Sequence, residues 1–544
     1  MFIVNKHGKG DKMRKTIVSF LIAGACAASM TAVPLMAEEN SEDITEIVLS
    51  DEEIIVDGEE ISTEEDSAVY AANDIVFYLE GQGITYGAGS KEDEHSQEEA
   101  DVHTVVHITE PGTYSLSGSL SAGQIAIDLG KEAEEDPEAV VNLILDNVDI
   151  TCSVAPAVIF YHVYECGSED EETAVKDVDT SAAGANVYLA DDSVNNVNGS
   201  YVARIYKEYT LSEDGTEVVD NKKLHKYDGA FYSKMSMNVN GDTGILNIKA
   251  ENEGLDTEMH LTLNGGNINI TAGNDGINTN EDGVSVTTIN GGALNIVVDG
   301  TTGEGDGIDS NGWIVINGGS ISSYACGFSM DAGIDSDMGI YINGGDIVST
   351  GNMFDFIEGG EQEYAVFALR NKVNGGTTVT MKDADENIVG EWTPVNDFTY
   401  FVVSLADLTD ETYTLWDGET ELGSSSSTGM MGNPGMKGGQ PPEGMEMPEG
   451  MTPPEKPEGT EMPEGMMPPE KPEGTEIPEG MTPPEKPEGM EMPEGMTPPE
   501  KPEGTEMPEG MTPPEKPEGT EMPEGMTPPE KPEGMENPEE SVKL

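Results

Sequence analysis

The tripeptide Asn-Gly-Gly occurs at Asn264, Asn290, Asn317 and Asn343, in steps of 26, 27 and 26 residues. A weaker copy, NVNGD, places Asn240 24 residues before the first. A period of this length, built only of short strands and turns, predicts a β-solenoid. One such coil cannot bury its apolar face alone, so the coils must stack.

Aligned on the Asn, the copies form columns. Leu263, Ile289, Ile316 and Ile342 precede it by one position, and Leu261, Thr287, Ile314 and Ile340 by three. Strand side chains alternate between faces, so both columns should point inward. Thr262, Thr288, Val315 and Tyr341 should then point outward, as should His260, Val286, Trp313 and Gly339. After the glycines, Ile268, Leu294, Ile321 and Ile347 form another inward column, alternating with outward Asn269, Asn295, Ser322 and Val348. Gly-Gly permits a sharp corner. The repeated Asn can stack as a ladder of side-chain amides, a structural role sufficient to account for it.

A second motif precedes these strands: EGLD at 253–256, DGIN at 275–278, DGID at 306–309 and AGID at 332–335. Its carboxylates recur at one corner of successive coils, where like charges repel. A cation would relieve the repulsion, and hard oxygen ligands select Ca²⁺. The candidate ligands are Asp256, Asp275, Asn278, Glu281, Asp282, Asp306, Asp309 and Asp335, with Asn280 in the same corner. The alternative is a solvated acidic turn whose Asp side chains cap backbone N–H groups.

Residues 1–37 read as an export signal. Lys6, Lys9, Lys12, Arg14 and Lys15 precede the apolar TIVSFLIAGACAASMTAVPLMA, and cleavage after Ala37 fits. Cys26 follows Ile-Ala-Gly-Ala and offers a second possibility, a lipoprotein anchor. Residues 38–70 read as an acidic disordered spacer, with 14 acids and no Lys or Arg over 38–66. Residues 71–362 form the solenoid, with loop insertions near 167–184 and 206–229. Residues 363–422 read as a small β-domain capping its open end, with Trp392 and Trp416 in its core. A Gly/Ser/Met-rich linker over 423–445 leads to 446–544, where EMPEGMTPPEKPEGT repeats six times. Pro-rich and charged, this tail should be extended and disordered. Removal of the signal leaves Cys152, Cys166 and Cys326, read as free buried thiols in preference to a Cys152–Cys166 bridge.

Across 544 residues, 106 acidic side chains face 26 basic ones. A formal charge of −80 excludes nucleic acid, which requires clustered Lys and Arg, and argues against an anionic membrane surface.

The blocks ITEPGTYSLSGSLSAGQIAIDL and LILDNVDITCSVAPAV, followed by the INGG and DGID coils, resemble the secreted bacterial carbohydrate-binding β-helix proteins related in shape to pectate lyases. The resemblance covers roughly 75–425. It implies an all-β, right-handed parallel β-helix, bound Ca²⁺, and a cellulose-type or pectin-type polysaccharide partner. Members often carry Lys after the Gly-Ile of the corner. Here Leu255, Ile277, Ile308 and Ile334 are followed by Asp256, Asn278, Asp309 and Asp335. The departure favours neutral glycans or Ca²⁺-bridged binding over direct binding of acidic sugars.

Lyases, hydrolases and plain binders share this fold, so the site must decide. A uronate lyase uses Lys or Arg as base, and neither occurs between Lys249 and Arg370. His260, the one His in that span, reads as a strand surface residue. Hydrolysis needs a carboxylate pair, and nothing marks one. A binder needs a strand face carrying aromatics, and Trp313 and Tyr341 are predicted outward on neighbouring coils, able to stack on sugar rings. The reading is an exported, Ca²⁺-dependent, non-catalytic polysaccharide binder. The alternatives are a lyase or hydrolase on the same scaffold, and a surface adhesin whose tail meets a cell-wall or protein partner.

Overall fold

The computed structural model describes residues 44–425, apart from 169, 213 and 214. The export signal, Cys26, the repeat tail and most of the linker lie outside the described residues. Among the described residues, helix is confined to Gln97–Ala100 and a 3-10 segment at Lys131–Glu135. No helix there is long and apolar enough to cross a membrane. The rest is nearly all β, with mostly parallel strands in large sheets.

The parallel strands form three ladders. In the first, strands preceding the Asn pair in order: Ala185–Leu189, Met237–Gly241, Leu261–Leu263, Val286–Ile289, Trp313–Ile316 and Gly339–Ile342. In the second, strands following the glycines pair in order: Val194–Gly199, Ile245–Ala250, Asn267–Ala272, Ala293–Val298, Ser320–Tyr324 and Asp346–Gly351. The third carries the corner motif through Gly229–Ser233, Glu253–Thr257, Ile277–Thr279 and Ile308–Ser310.

The register matches the alignment on Asn. Leu263 pairs with Ile289, Ile289 with Ile316, and Ile316 with Ile342. All four are buried, as are Ile268, Leu294, Ile321 and Ile347. One continuous apolar core therefore runs along the stacked repeats, driven by removal of apolar surface from water. The second glycine of each corner is structurally required. Gly266, Gly292, Gly319 and Gly345 hold φ of +84°, +86°, +97° and +108°, where a side chain is strained. A Cβ on Gly265 would fall 2.3 Å from the Gly241 carbonyl oxygen.

Several expectations are corrected. The spacer expected over 38–70 is folded from Ile44 onward: Ile44–Leu49 pairs parallel with 113–118. Its sequence alternates, so Ile47 and Leu49 are buried while Glu46 faces solvent. The insertion near 206–229 is not a loop but mainly an antiparallel hairpin, Val202–Leu211 with Val218–Tyr227. The outward columns are also less exposed than expected. His260, Thr262, Val286, Val315 and Val348 are all buried. His260 lies against Gly167, where a Cβ would fall 2.3 Å from its Nε2. Trp392 and Trp416 are only half-buried, the latter beneath Lys382 Nζ at 4.2 Å.

Beyond the repeats, Phe398–Ser404 pairs antiparallel with Asp346–Gly351 and then with Tyr364–Val373. These strands cover the edge of the second ladder, and Phe367, Phe398, Phe401 and Met381 bury a separate core beneath them. Cys152, Cys166 and Cys326 are free, the first and last of them buried. Burial pushes the Cys152 and Cys166 thiols up to about 12, which leaves them protonated and unreactive.

Candidate functional site

The Asn of each corner stacks on its copy in the adjacent coil. Asn264 Nδ2 donates to Asn240 Oδ1 at 3.0 Å, Asn290 to Asn264 at 2.9 Å, Asn317 to Asn290 at 2.9 Å and Asn343 to Asn317 at 2.8 Å. Tyr188 takes the same column position one strand earlier, opposite Asn240. Beside it runs the outward column Asn186, Asn238, Thr262, Thr288, Val315 and Tyr341.

The insertion near 167–184 lies over this face. Thr180 Oγ1 meets Asn238 Oδ1 at 2.8 Å and Thr262 Oγ1 at 2.7 Å, and Asn238 Nδ2 donates to the Thr180 carbonyl at 2.8 Å. Further along, Lys176 Nζ sits 4.9 Å from the centre of the Tyr341 ring. Between residues 176–181 and the two columns is a groove of about 1010 Å³, floored by five successive strands. It combines amides and hydroxyls with the half-buried Tyr188. Asp177, Asp179, Asp191 and Asp242 give it an acidic rim. Trp313 is half-buried and does not line the groove, while Tyr341 stands beyond its far end under Lys176.

The third ladder presents an acidic face. Asp256 pairs with Asn278 and Asn278 with Asp309, and in the repeat that follows the Asp335 N–H donates back to the Ile308 carbonyl. Asp306, Asp309 and Asp335 each offer a ligand atom within 4.8 Å of the others. Asp275 Oδ1 accepts the Asp306 N–H at 2.6 Å, and Asp306 Oδ1 accepts the Ala332 N–H at 2.5 Å. Burial, reinforced by neighbouring carboxylates, raises Asp275 to about 7, Asp309 to about 8 and Asp335 to about 6. Asp306 rises as well, for the same reasons.

A second group lies on the two preceding strands of this ladder. Burial raises the carboxyls of both Glu253 and Asp256, reinforced by the Asp256 and Asp228 charges at Glu253 and by the Asp228 and Glu258 charges at Asp256. Asn278 Nδ2 donates to Glu253 Oε1 at 3.1 Å, and Asn280 Nδ2 to Asp256 Oδ1 at 2.5 Å. Three buried oxygens here have no partner: Glu253 Oε2, Asp256 Oδ2 and Asn278 Oδ1. An unpartnered buried acceptor is costly, and all three are hard donors of the kind Ca²⁺ takes. The residues fit such an ion. Glu253 was missed in the sequence, although it holds the first position of EGLD, where Asp275 and Asp306 stand in the later copies. Glu281 and Asp282 stand in an exposed turn, where Asp282 accepts from Asn311 Nδ2 at 2.7 Å.

The model of the carbohydrate-binding domain-containing protein family matches residues 102–392. The chain belongs to this family. Within it, a carbohydrate-binding domain-containing protein of Acetivibrio thermocellus is 31% identical over 168 residues. That match spans 31% of this chain and 45% of the relative, under half of the relative's length. A solved structure, a gadolinium derivative of a polysaccharide lyase-like protein from C. thermocellum, is 20% identical. It covers 55% of this chain and 92% of its own at a TM-score of 0.29. The family is described by carbohydrate binding.

Proposed function

We propose that the protein is an exported, non-catalytic binder of polysaccharide, that its three ladders are the faces of a right-handed parallel β-helix, and that Ca²⁺ supports its native state. The groove beside residues 176–181 carries this reading. It is open and runs across five successive strands, each contributing a hydrogen-bonding side chain to a lining that also holds apolar surface, as a polymer of rings with hydroxyl edges and apolar faces requires. The one basic residue lining the groove, Lys176, is paired with Asp177 at 2.6 Å and lies over the Tyr341 ring, which favours binding over proton abstraction by a free base. Asp306, Asp309 and Asp335 would hold one Ca²⁺, and Glu253, Asp256 and Asn278 a second. The ion supplies positive charge to buried carboxylates that otherwise repel one another.

The full chain should co-sediment with insoluble cellulose or with pectate gels and release no soluble sugar. Pectate should be retained only when Ca²⁺ bridges the two polyanions. Failure to bind any polysaccharide would overturn the binder reading. Unsaturated uronates appearing on incubation with pectate would overturn its non-catalytic part.

A further inference from the structure

We propose that the asparagine ladder reads the glycan directly: a neutral, extended polysaccharide lies along the stacking direction, roughly one sugar per strand, with its hydroxyls on the ladder amides. This rests on the carbohydrate-binding reading and specifies the ligand of that groove.

An Asn side chain has two N–H donors and two acceptor lone pairs. In the ladder, Asn264, Asn290 and Asn317 each donate one N–H to the preceding coil and accept one from the following coil. Each therefore keeps one donor and one acceptor for a ligand. Asn290 and Asn317 are exposed, and all three line the groove. The ladder alone would hold the corners together without a groove beside it. The wall at 176–181 converts it into one side of a channel.

The spacing selects the polymer. Paired strands lie about 4.8 Å apart, close to the advance of one pyranose along an extended chain. A flat, β-1,4-linked ribbon can keep step with the amides, whereas a coiled α-1,4-linked chain turns away after a unit or two. All the ladder amides donate toward the N-terminal end of the stack. This alignment polarises the row and favours one direction of the glycan. At that end Tyr188 occupies the Asn position and offers a ring for stacking.

The charge selects against acidic glycans. Asp177, Asp179, Asp191 and Asp242 rim the groove, and its one basic residue, Lys176, is held by Asp177 at 2.6 Å and lies over Tyr341. A polyuronate would meet uncompensated negative charge.

Calorimetric titration of the full chain with cello-oligosaccharides of increasing length tests the proposal. Affinity should rise up to about five sugars, one for each strand flooring the groove, and then level off. Asn290→Ala should weaken cellohexaose binding roughly tenfold, about 1.4 kcal/mol. Asn343→Ala breaks the last ladder bond but lies outside the groove, so it should bind as wild type does. Should Asn290→Ala fail to fold, Thr288→Val removes a neighbouring hydroxyl without touching the ladder and should weaken binding several-fold. Wild-type affinity in Asn290→Ala and Thr288→Val would overturn the proposal while leaving the carbohydrate-binding reading intact. Equally tight binding of malto-oligosaccharides, or of polygalacturonate in chelator, would do the same. A wild-type chain that binds no polysaccharide of any kind would sink both.

Discussion

Lys176 holds its ammonium 4.9 Å from the centre of the Tyr341 ring, tying the insertion near 167–184 to a strand several coils away. Tyr341 was expected to offer its ring to a sugar, but one approach to that ring is taken by the cation. The contact anchors the groove wall. In a double-mutant cycle with Lys176→Met and Tyr341→Ala, urea denaturation should give a coupling of about 0.5–1 kcal/mol. Strict additivity would mean that the wall is held without this contact.

Tyr188, not Trp313, should be the aromatic that matters for binding. Tyr188 lines the groove in line with the asparagines, whereas Trp313 lies outside it. Tyr188→Ala should weaken cellohexaose binding by about 1 kcal/mol, and Trp313→Ala should change it less than about twofold. The reverse ranking, measured by calorimetry, would return the binding face to the Trp313 strand.

Added Ca²⁺ should stabilise chelator-treated protein. A ligand specific to the native state contributes about 2.7 kcal/mol at a hundredfold excess over its Kd. Scanning calorimetry should show a clear rise in Tm with Ca²⁺, smaller in Asp306→Asn with Asp309→Asn, and smaller again when Glu253→Gln is added. Identical melting curves with chelator and with Ca²⁺ would remove the ion from the account.

His260 should make the fold acid-sensitive. It is buried, and neither ring nitrogen finds a partner. Burial lowers it to about 4, while an unfolded His titrates near about 6.5. The unfolded chain therefore binds the proton first, and stability is lost as pH falls from about 6.5 through about 4. Between pH 7 and 4.5 this loss is on the order of 2 kcal/mol. Urea midpoints of wild type and His260→Phe at the two pH values isolate it from the carboxylates. An equal loss in both would exclude His260 as the cause.

The repeat made much of the fold legible. The Asn-Gly-Gly period and the alternation of faces suffice to place Leu263, Ile289, Ile316 and Ile342 in register, because each repeat uses one local solution. What the period could not convey was the work of the insertions. Thr262 and His260 sit in outward columns as expected, yet Thr180 and Gly167 cover them from a segment outside the repeat. That covering also forms the groove, so the binding role proposed for Asn264, Asn290 and Asn317 was hidden behind their sufficient structural role. The acidic corner was legible as a column from Asp256 to Asp335. Glu253 was not, because its distinguishing property is a buried, unpartnered oxygen rather than its identity. Strand Ile44–Leu49 was obscured by composition, its alternation diluted by flanking acids.

The most direct test is a crystal structure of the full chain grown with cellohexaose. The account predicts an intact, extended glycan in the groove beside residues 176–181, with ring hydroxyls hydrogen-bonded to the side-chain amides of Asn264, Asn290 and Asn317. Sugar ordered instead over the acidic face at Asp256, Asp309 and Asp335, or cleaved fragments in the groove, would contradict it.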